Sequence, residues 1–184
     1  VAALELSAAR QSQRGYSTRV DGESQANQHR TVGDAQLLLK PSSDFEAVLR
    51  LDATRIDEYT SAFKLVQVRT ASAIPGLYAA LTPYRYDNRW VSSDDFSYFG
   101  SGPNKDAGSV GGGSLTLSWN HTWGSIKSIS AYRRVDIESE FDPDGSPLAV
   151  LDIVNHIQQH QLSEGVQAVG ESMSGRLNWT TGLY

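Results

Sequence analysis

The sequence has no cysteine among its 184 residues, which excludes a disulfide scaffold, a thiolate metal site and a cysteine nucleophile. The redox compartment stays open, because cysteine-free chains occur in every one. Excess positive charge is also missing. Sixteen Lys and Arg stand against 21 Asp and Glu, a net charge of -5, so a sequence-independent grip on nucleic acid phosphates has little support. Long apolar runs are absent too: stretches such as Leu77 to Leu81 fall far below the ~20 residues a membrane-spanning helix needs. No basic segment followed by an apolar one opens the chain. Either a signal peptide has been removed or the sequence does not begin at a natural start.

What the sequence does contain is alternation. Phe45, Ala47, Leu49, Leu51 and Ala53 share one face of an extended segment whose other face carries Glu46, Arg50, Asp52 and Thr54. The same period runs through Leu115, Leu117 and Trp119 and through Leu177, Trp179, Thr181 and Leu183. Weaker versions are Leu4, Leu6 and Ala8, then Ala35, Leu37 and Leu39, then Leu162, Val166 and Ala168. In Ile126 to Glu138 the residues Ile129, Ala131, Val135 and Ile137 share a face with Arg133, which predicts a bulge or an emergence from an apolar phase near that arginine. The count is seven strands and the class all-β.

The connections come in two sizes. Three are short and rich in turn formers, Pro41–Asp44, His121–Ser125 and Gly170–Gly175. Three are long, about 15–30, 59–113 and 139–155. Short and long alternate strictly, as in an antiparallel up-and-down sheet with all its tight turns at one end. That is the layout of a transmembrane β-barrel in an outer membrane, whose long loops are extracellular and whose strands need only ~9 to 11 residues. Phe45, Trp119, Trp123 and Trp179 all fall within a few residues of the short turns, where membrane-interface aromatics belong. A soluble sandwich also has seven alternating strands and polar turns, with its apolar faces turned inward.

Particular runs then resemble a known family. Ser114 to Asp136 (SLTLSWNHTWGSIKSISAYRRVD) is similar to paired barrel strands of TonB-dependent outer-membrane receptors. Asp142–Pro147 (DPDGSP), Gln161–Ser172 (QLSEGVQAVGES) and Gly175–Tyr184 (GRLNWTTGLY) resemble that family's D-D-G-x-P loop and two further strands, in the family's order. RQSQRGYSTR and, after a polar loop, Leu37 to Arg55 resemble the strand, loop and turn that follow the plug domain. Gly165 departs from the pattern, standing where the family usually has Glu. The plug domain, the energy-coupling box and the terminal aromatic strand have no counterpart here.

The resemblance implies that residues 1–184 are part of a single β-barrel domain, about seven strands of a 22-stranded barrel in a Gram-negative outer membrane. It further implies active uptake of a scarce solute, most often a ferric siderophore, energised by the TonB complex acting through the absent plug. In that setting Glu46, Arg50 and Asp52 would face the lumen. No cofactor and no enzymatic step are implied, and no nucleic acid partner. The alternatives are a soluble all-β module that binds carbohydrate or another ligand, and a small complete outer-membrane barrel.

Site chemistry is sparse. His156 and His160 share a face if extended but then stand roughly 13 Å apart at ~3.3 Å per residue, too far for one ion. Asp142, Asp144 and Gly145 open like a calcium loop, but the spacing fails and no bidentate Glu follows, which predicts a solvated turn. Gly108–Ser114 lacks the Lys-Ser/Thr of a phosphate loop and predicts a flexible approach to a strand. The long middle loop is the expected place for ligand contact, with Tyr84, Tyr86, Arg89 and Trp90 as candidates for stacking and charge-assisted hydrogen bonds.

Overall fold

In the computed structural model, which describes residues 1–102 and 104–184, the alternating segments become long antiparallel strands. In chain order they are β1 (Ala2–Gln13), the short β2 (Ser17–Arg19) and β3 (Ser24–Gln25), β4 (Gln28–Leu39) and β5 (Phe45–Tyr59). A helix α1 (Ala73–Leu81) and the short β6 (Ser97–Tyr98) follow, then β7 (Lys105–His121), β8 (Gly124–Phe141), β9 (Ile153–Ser172) and β10 (Leu177–Leu183). Seven strands form one sheet in the order β1-β4-β5-β7-β8-β9-β10, each beside its sequence neighbour among the long strands. A second, small sheet, β3-β2-β6, is built entirely from the long connections; the period-2 pattern gave no hint of it, because two- and three-residue strands hold less than one full alternation.

Several boundaries differ from the sequence expectation. The long connections span 14–27, 60–104 and 142–152, because the sheet extends further toward them than the apolar alternation does. Gly108–Ser114 lies inside β7, fully paired on both sides, and so is not a flexible approach. Its glycines suit close backbone packing: a Cβ on Gly112 would come within 2.6 Å of the Tyr132 carbonyl oxygen, and one on Gly113 within 2.7 Å of the Leu51 side chain.

Residues paired across an antiparallel ladder share a face. Leu37 pairs Leu49, which pairs Leu115, and Phe45 pairs Trp119, which pairs Ile126. The apolar face therefore continues from β1 across to Leu162, Val166, Trp179 and Leu183. On the opposite face Gln36, Arg50 and Ser114 form one row, and Asp34, Asp52, Gly112 and Arg133 another.

This register corrects the reading of β8. Only Thr122 and Trp123 separate the paired residues His121 and Gly124, so parity places Ile129, Ala131, Val135 and Ile137 on the face of Arg50 and Asp52. There is no bulge at Arg133: its pairing with Gly112 and Gln161 is continuous, and its Nη2 donates to Asp52 Oδ1 at 2.7 Å. The β8 and β9 positions on the apolar face include Ser128, Ser130 and Glu164, with Ser128 Oγ donating to the Glu164 carboxylate at 2.9 Å.

The sheet is a single layer. Leu4 is 65% exposed, Leu6 69%, Leu51 50% and Leu162 78%. Every buried apolar side chain among the described residues, Ala26, Tyr78, Tyr86 and Tyr98, lies in a long connection. No helix among the described residues is long and apolar enough to cross a membrane.

Candidate functional site

All three long connections leave the same end of the sheet, and polar contacts tie them into one body. Thr18 pairs Ser97 and Arg19 pairs Tyr98 in parallel, joining the first connection to the second. Arg19 Nη1 also donates to the Gly102 carbonyl at 2.9 Å, while its guanidinium bridges Asp21 and Glu23. The hydrogen bond from Arg19 holds the Asp21 carboxyl below the usual range.

The third connection is the centre of this body. Asp142 is 1% exposed, and its carboxylate accepts the backbone N–H groups of Ser101 at 2.8 Å, Asp144 at 3.0 Å and Gly145 at 3.2 Å. Asp144 accepts the Ser146 N–H at 2.7 Å and the Tyr78 hydroxyl at 2.5 Å. Asn104 Oδ1 accepts the Asp142 N–H at 2.8 Å. The DPDGSP run is therefore a buried organiser of the loops and not a solvated turn. Its carboxylates tolerate burial because backbone donors surround them. Burial, followed by the adjacent Asp144 charge, raises the Asp142 carboxyl above its ordinary range, against the pull of those N–H donors.

The tyrosines complete the packing. Tyr78 and Tyr86 rings lie 4.7 Å apart, and the Tyr86 hydroxyl donates to the Asp144 carbonyl. Burial pushes the Tyr86 phenol up to about 12 and that of Tyr98 likewise to about 12, and lifts Tyr78 further still. At ordinary pH all three stay protonated, and Tyr78 and Tyr86 remain donors.

The four candidates for ligand contact separate into two kinds. Tyr86 is 7% exposed and occupied in packing. Tyr84 is 54% exposed. Arg89 is exposed but chelates Asp87 through two nitrogens at 2.8 and 2.9 Å, over a three-residue turn (Asn88–Trp90) that Asp87 caps. The Arg89 guanidinium sits 5.8 Å from the Trp90 ring centre, and Trp90 meets Phe99 edge-on at 5.6 Å. An Arg–Trp–Phe ledge with Tyr84 at the surface offers stacking faces and a cation whose charge is paired with Asp87. Among the described residues no group of three or more His, Asp and Glu is placed to hold a metal ion.

Glu46, Arg50 and Asp52 share the charged face as the alternation predicts. Arg50 Nε donates to Gln36 at 2.7 Å, Asp52 binds Arg133, and Glu46 lies 3.8 Å from Lys40 Nζ. At the opposite end from the loops, the rim aromatics form a chain of ring contacts. Trp119 meets His121 at 5.7 Å, His121 stacks on Trp123 at 5.7 Å, and Trp123 stacks on Trp179 at 5.8 Å, with Phe45 paired to Trp119. In sequence His121 stands only as one of four histidines that could in principle ligate a metal or act as a base; its place in the rim, two residues from Trp119 and from Trp123, follows from the register. Gly170 makes room for this chain, since a Cβ there would lie 2.4 Å from the Trp179 ring. No known family, curated protein or solved structure matches the chain.

Proposed function

We propose that this chain is a stretch of the wall of a TonB-dependent receptor in a Gram-negative outer membrane, a transporter that imports a scarce solute such as a ferric siderophore. The observation that carries the reading is a one-layer, up-and-down sheet whose leucine face is covered by no other described residues of the chain. From Phe45 to Arg55, where the apolar face gives way to charge, ten steps of ~3.3 Å at a ~40° tilt span about 25 Å, the height of an acyl-facing band. The stacked aromatics then mark the periplasmic interface and the joined loops the extracellular mouth.

In this reading further strands continue from β1 and β10 to close a 22-stranded barrel, because open edges in hydrocarbon cost several kcal/mol per unpaired group. The charged face, with Gln36, Arg50, Asp52 and Arg133, lines a wet interior and holds a plug by hydrogen bonds. The exposed Tyr84 and the Arg89–Trp90 ledge contribute to solute capture at the mouth. Transport then consists of binding and a TonB-driven change in the plug, with no covalent step and no cofactor.

The test is folding in lipid. The polypeptide that carries these strands should acquire β structure and protease resistance in detergent or phospholipid vesicles and aggregate without them. A monodisperse, folded protein in plain buffer would overturn the reading and favour the soluble ligand-binding alternative.

A further inference from the structure

On β1, β4, β5 and β7 the leucine face ends at one level. Ala8, Gly33, Ala53 and Gly111 form its last small-residue row there, the same row continuing into Arg134 on β8 and His160 on β9, and the next row on the same face reads Arg10, Thr31, Arg55, Ser109, Asp136 and Gln158. The switch happens on the long-loop side only; at the other end the face finishes in stacked indoles. Arg10 and Arg55 are both exposed and, among the described residues, neither side chain has a hydrogen-bond or ion-pair partner. They flank Thr31 in one row, so their backbones are about 10 Å apart at two strand spacings.

Two acidic neighbours of this row are already engaged, and a third, Glu138 in the row of Asp57, is exposed and has no side-chain partner among the described residues. Asp57 pairs with Lys105 at 3.0 Å, and Asp136 is held by Arg134 at 3.2 Å and by His156 at 3.0 Å. Beside Arg55, the residues Asp57, Lys105, Asp136, Glu138 and His156 line an open recess of about 460 Å³ on the same face. Two uncommitted guanidiniums above a band of leucines match one kind of molecule: an amphiphile with acyl chains below and phosphate above.

We infer that Arg10 and Arg55 form an outward-facing site for the phosphate head group of a lipid in the long-loop-side leaflet, its chains lying on Leu4, Leu6, Leu49 and Leu51. The inference rests on the membrane reading above. Guanidinium groups are suited to it because they bind phosphate through two parallel N–H donors and lose little hydration in doing so.

The experiment places the polypeptide that carries these strands in nanodiscs of phosphatidylcholine, whose phosphate is capped by choline, doped with phosphatidic acid, whose phosphate is free. Lipid retained by the released protein is read by native mass spectrometry. Phosphatidic acid should be enriched over its bulk share, and Arg10→Gln and Arg55→Gln should each lower the enrichment about fivefold, the equivalent of ~1 kcal/mol per cation at an anionic surface. Lys127→Gln, exposed on the opposite face, should leave it unchanged. Equal enrichment in the Arg10→Gln/Arg55→Gln double variant, or retention abolished by inorganic phosphate alone, would overturn the lipid site while leaving insertion intact. Protein that fails to enter the nanodisc would instead overturn the membrane reading, and the site with it.

Discussion

The sheet and the loop body solve the problem of burial in opposite ways. The seven long strands carry most of the leucine and hide almost none of it; Leu49 is 36% exposed and Leu6 69%. The connections, with few aliphatic residues, bury three tyrosines and a polar cluster of Gln25, Asn104, Asp142, Asp144 and Ser146. A sheet in water must place one face against another layer, so its apolar face calls for a non-aqueous neighbour. The loop body needs none, because its interior is closed by hydrogen bonds that satisfy each carboxylate.

That contrast is breakable from the loop side first. Asp142→Ala removes the acceptor of two buried N–H groups and one part-buried one and should loosen the loop body by about 3–5 kcal/mol, while Asp142→Asn, which keeps an acceptor oxygen, should cost much less. Limited proteolysis should then cut within 142–152 in the alanine variant with the strand signal in circular dichroism unchanged. Loss of the whole β signal would mean that the two regions are one cooperative unit.

From the sheet side, Leu49→Arg should destabilise by ~2–4 kcal/mol in lipid vesicles, whereas Arg50→Leu, one residue away on the charged face, should cost under ~1 kcal/mol. Urea titration of the vesicle-bound protein reads both; equal losses would undo the assignment of faces. A smaller effect is expected at the rim. Gly170→Ala drives a methyl into the Trp179 ring and the Trp123 carbonyl, and a shift of about 1–3 kcal/mol with altered tryptophan fluorescence should follow.

The mildest probe is alkali. The phenol of Tyr86 is raised in the folded state, so the stability linked to it is fully present below the unfolded value near 10 and is lost as pH rises through about 12. Absorbance at the phenolate band should show Tyr86 ionising together with loop opening, above the ordinary phenol value near 10. Replacing Tyr86 by Phe should remove that step.

The strands were legible because alternation is local: Phe45 to Ala53 reads as a face without knowledge of any neighbour. The faces of β8 were not, since Ile129 and Val135 are apolar yet their side of the sheet is set by the parity of a two-residue turn. Apolarity competed with register, and register won. The loops were least legible. Asp142 looks solvated in sequence, and only the arrival of Ser101 and Asn104, about forty residues away, supplies the donors and acceptors that let it be buried. Of the candidate contact residues, Tyr84 kept its exposure while Tyr86, two positions on, went inside; in an irregular segment no period distinguishes them. The continuous rim of Trp119, His121, Trp123 and Trp179 could be read in part, as three tryptophans near turns, but the histidine that joins them could not be placed without the register.

The ring chain at the tight-turn end also has a mechanical meaning. It crosses the two hairpins β7–β8 and β9–β10 and reaches β5 through Phe45, so these strands are latched side by side at their bases while their upper ends are latched by the loop body. A plate fastened along both margins resists shear between adjacent ribs, and a load applied to any one of the strands from β5 to β10 would be shared with its neighbours.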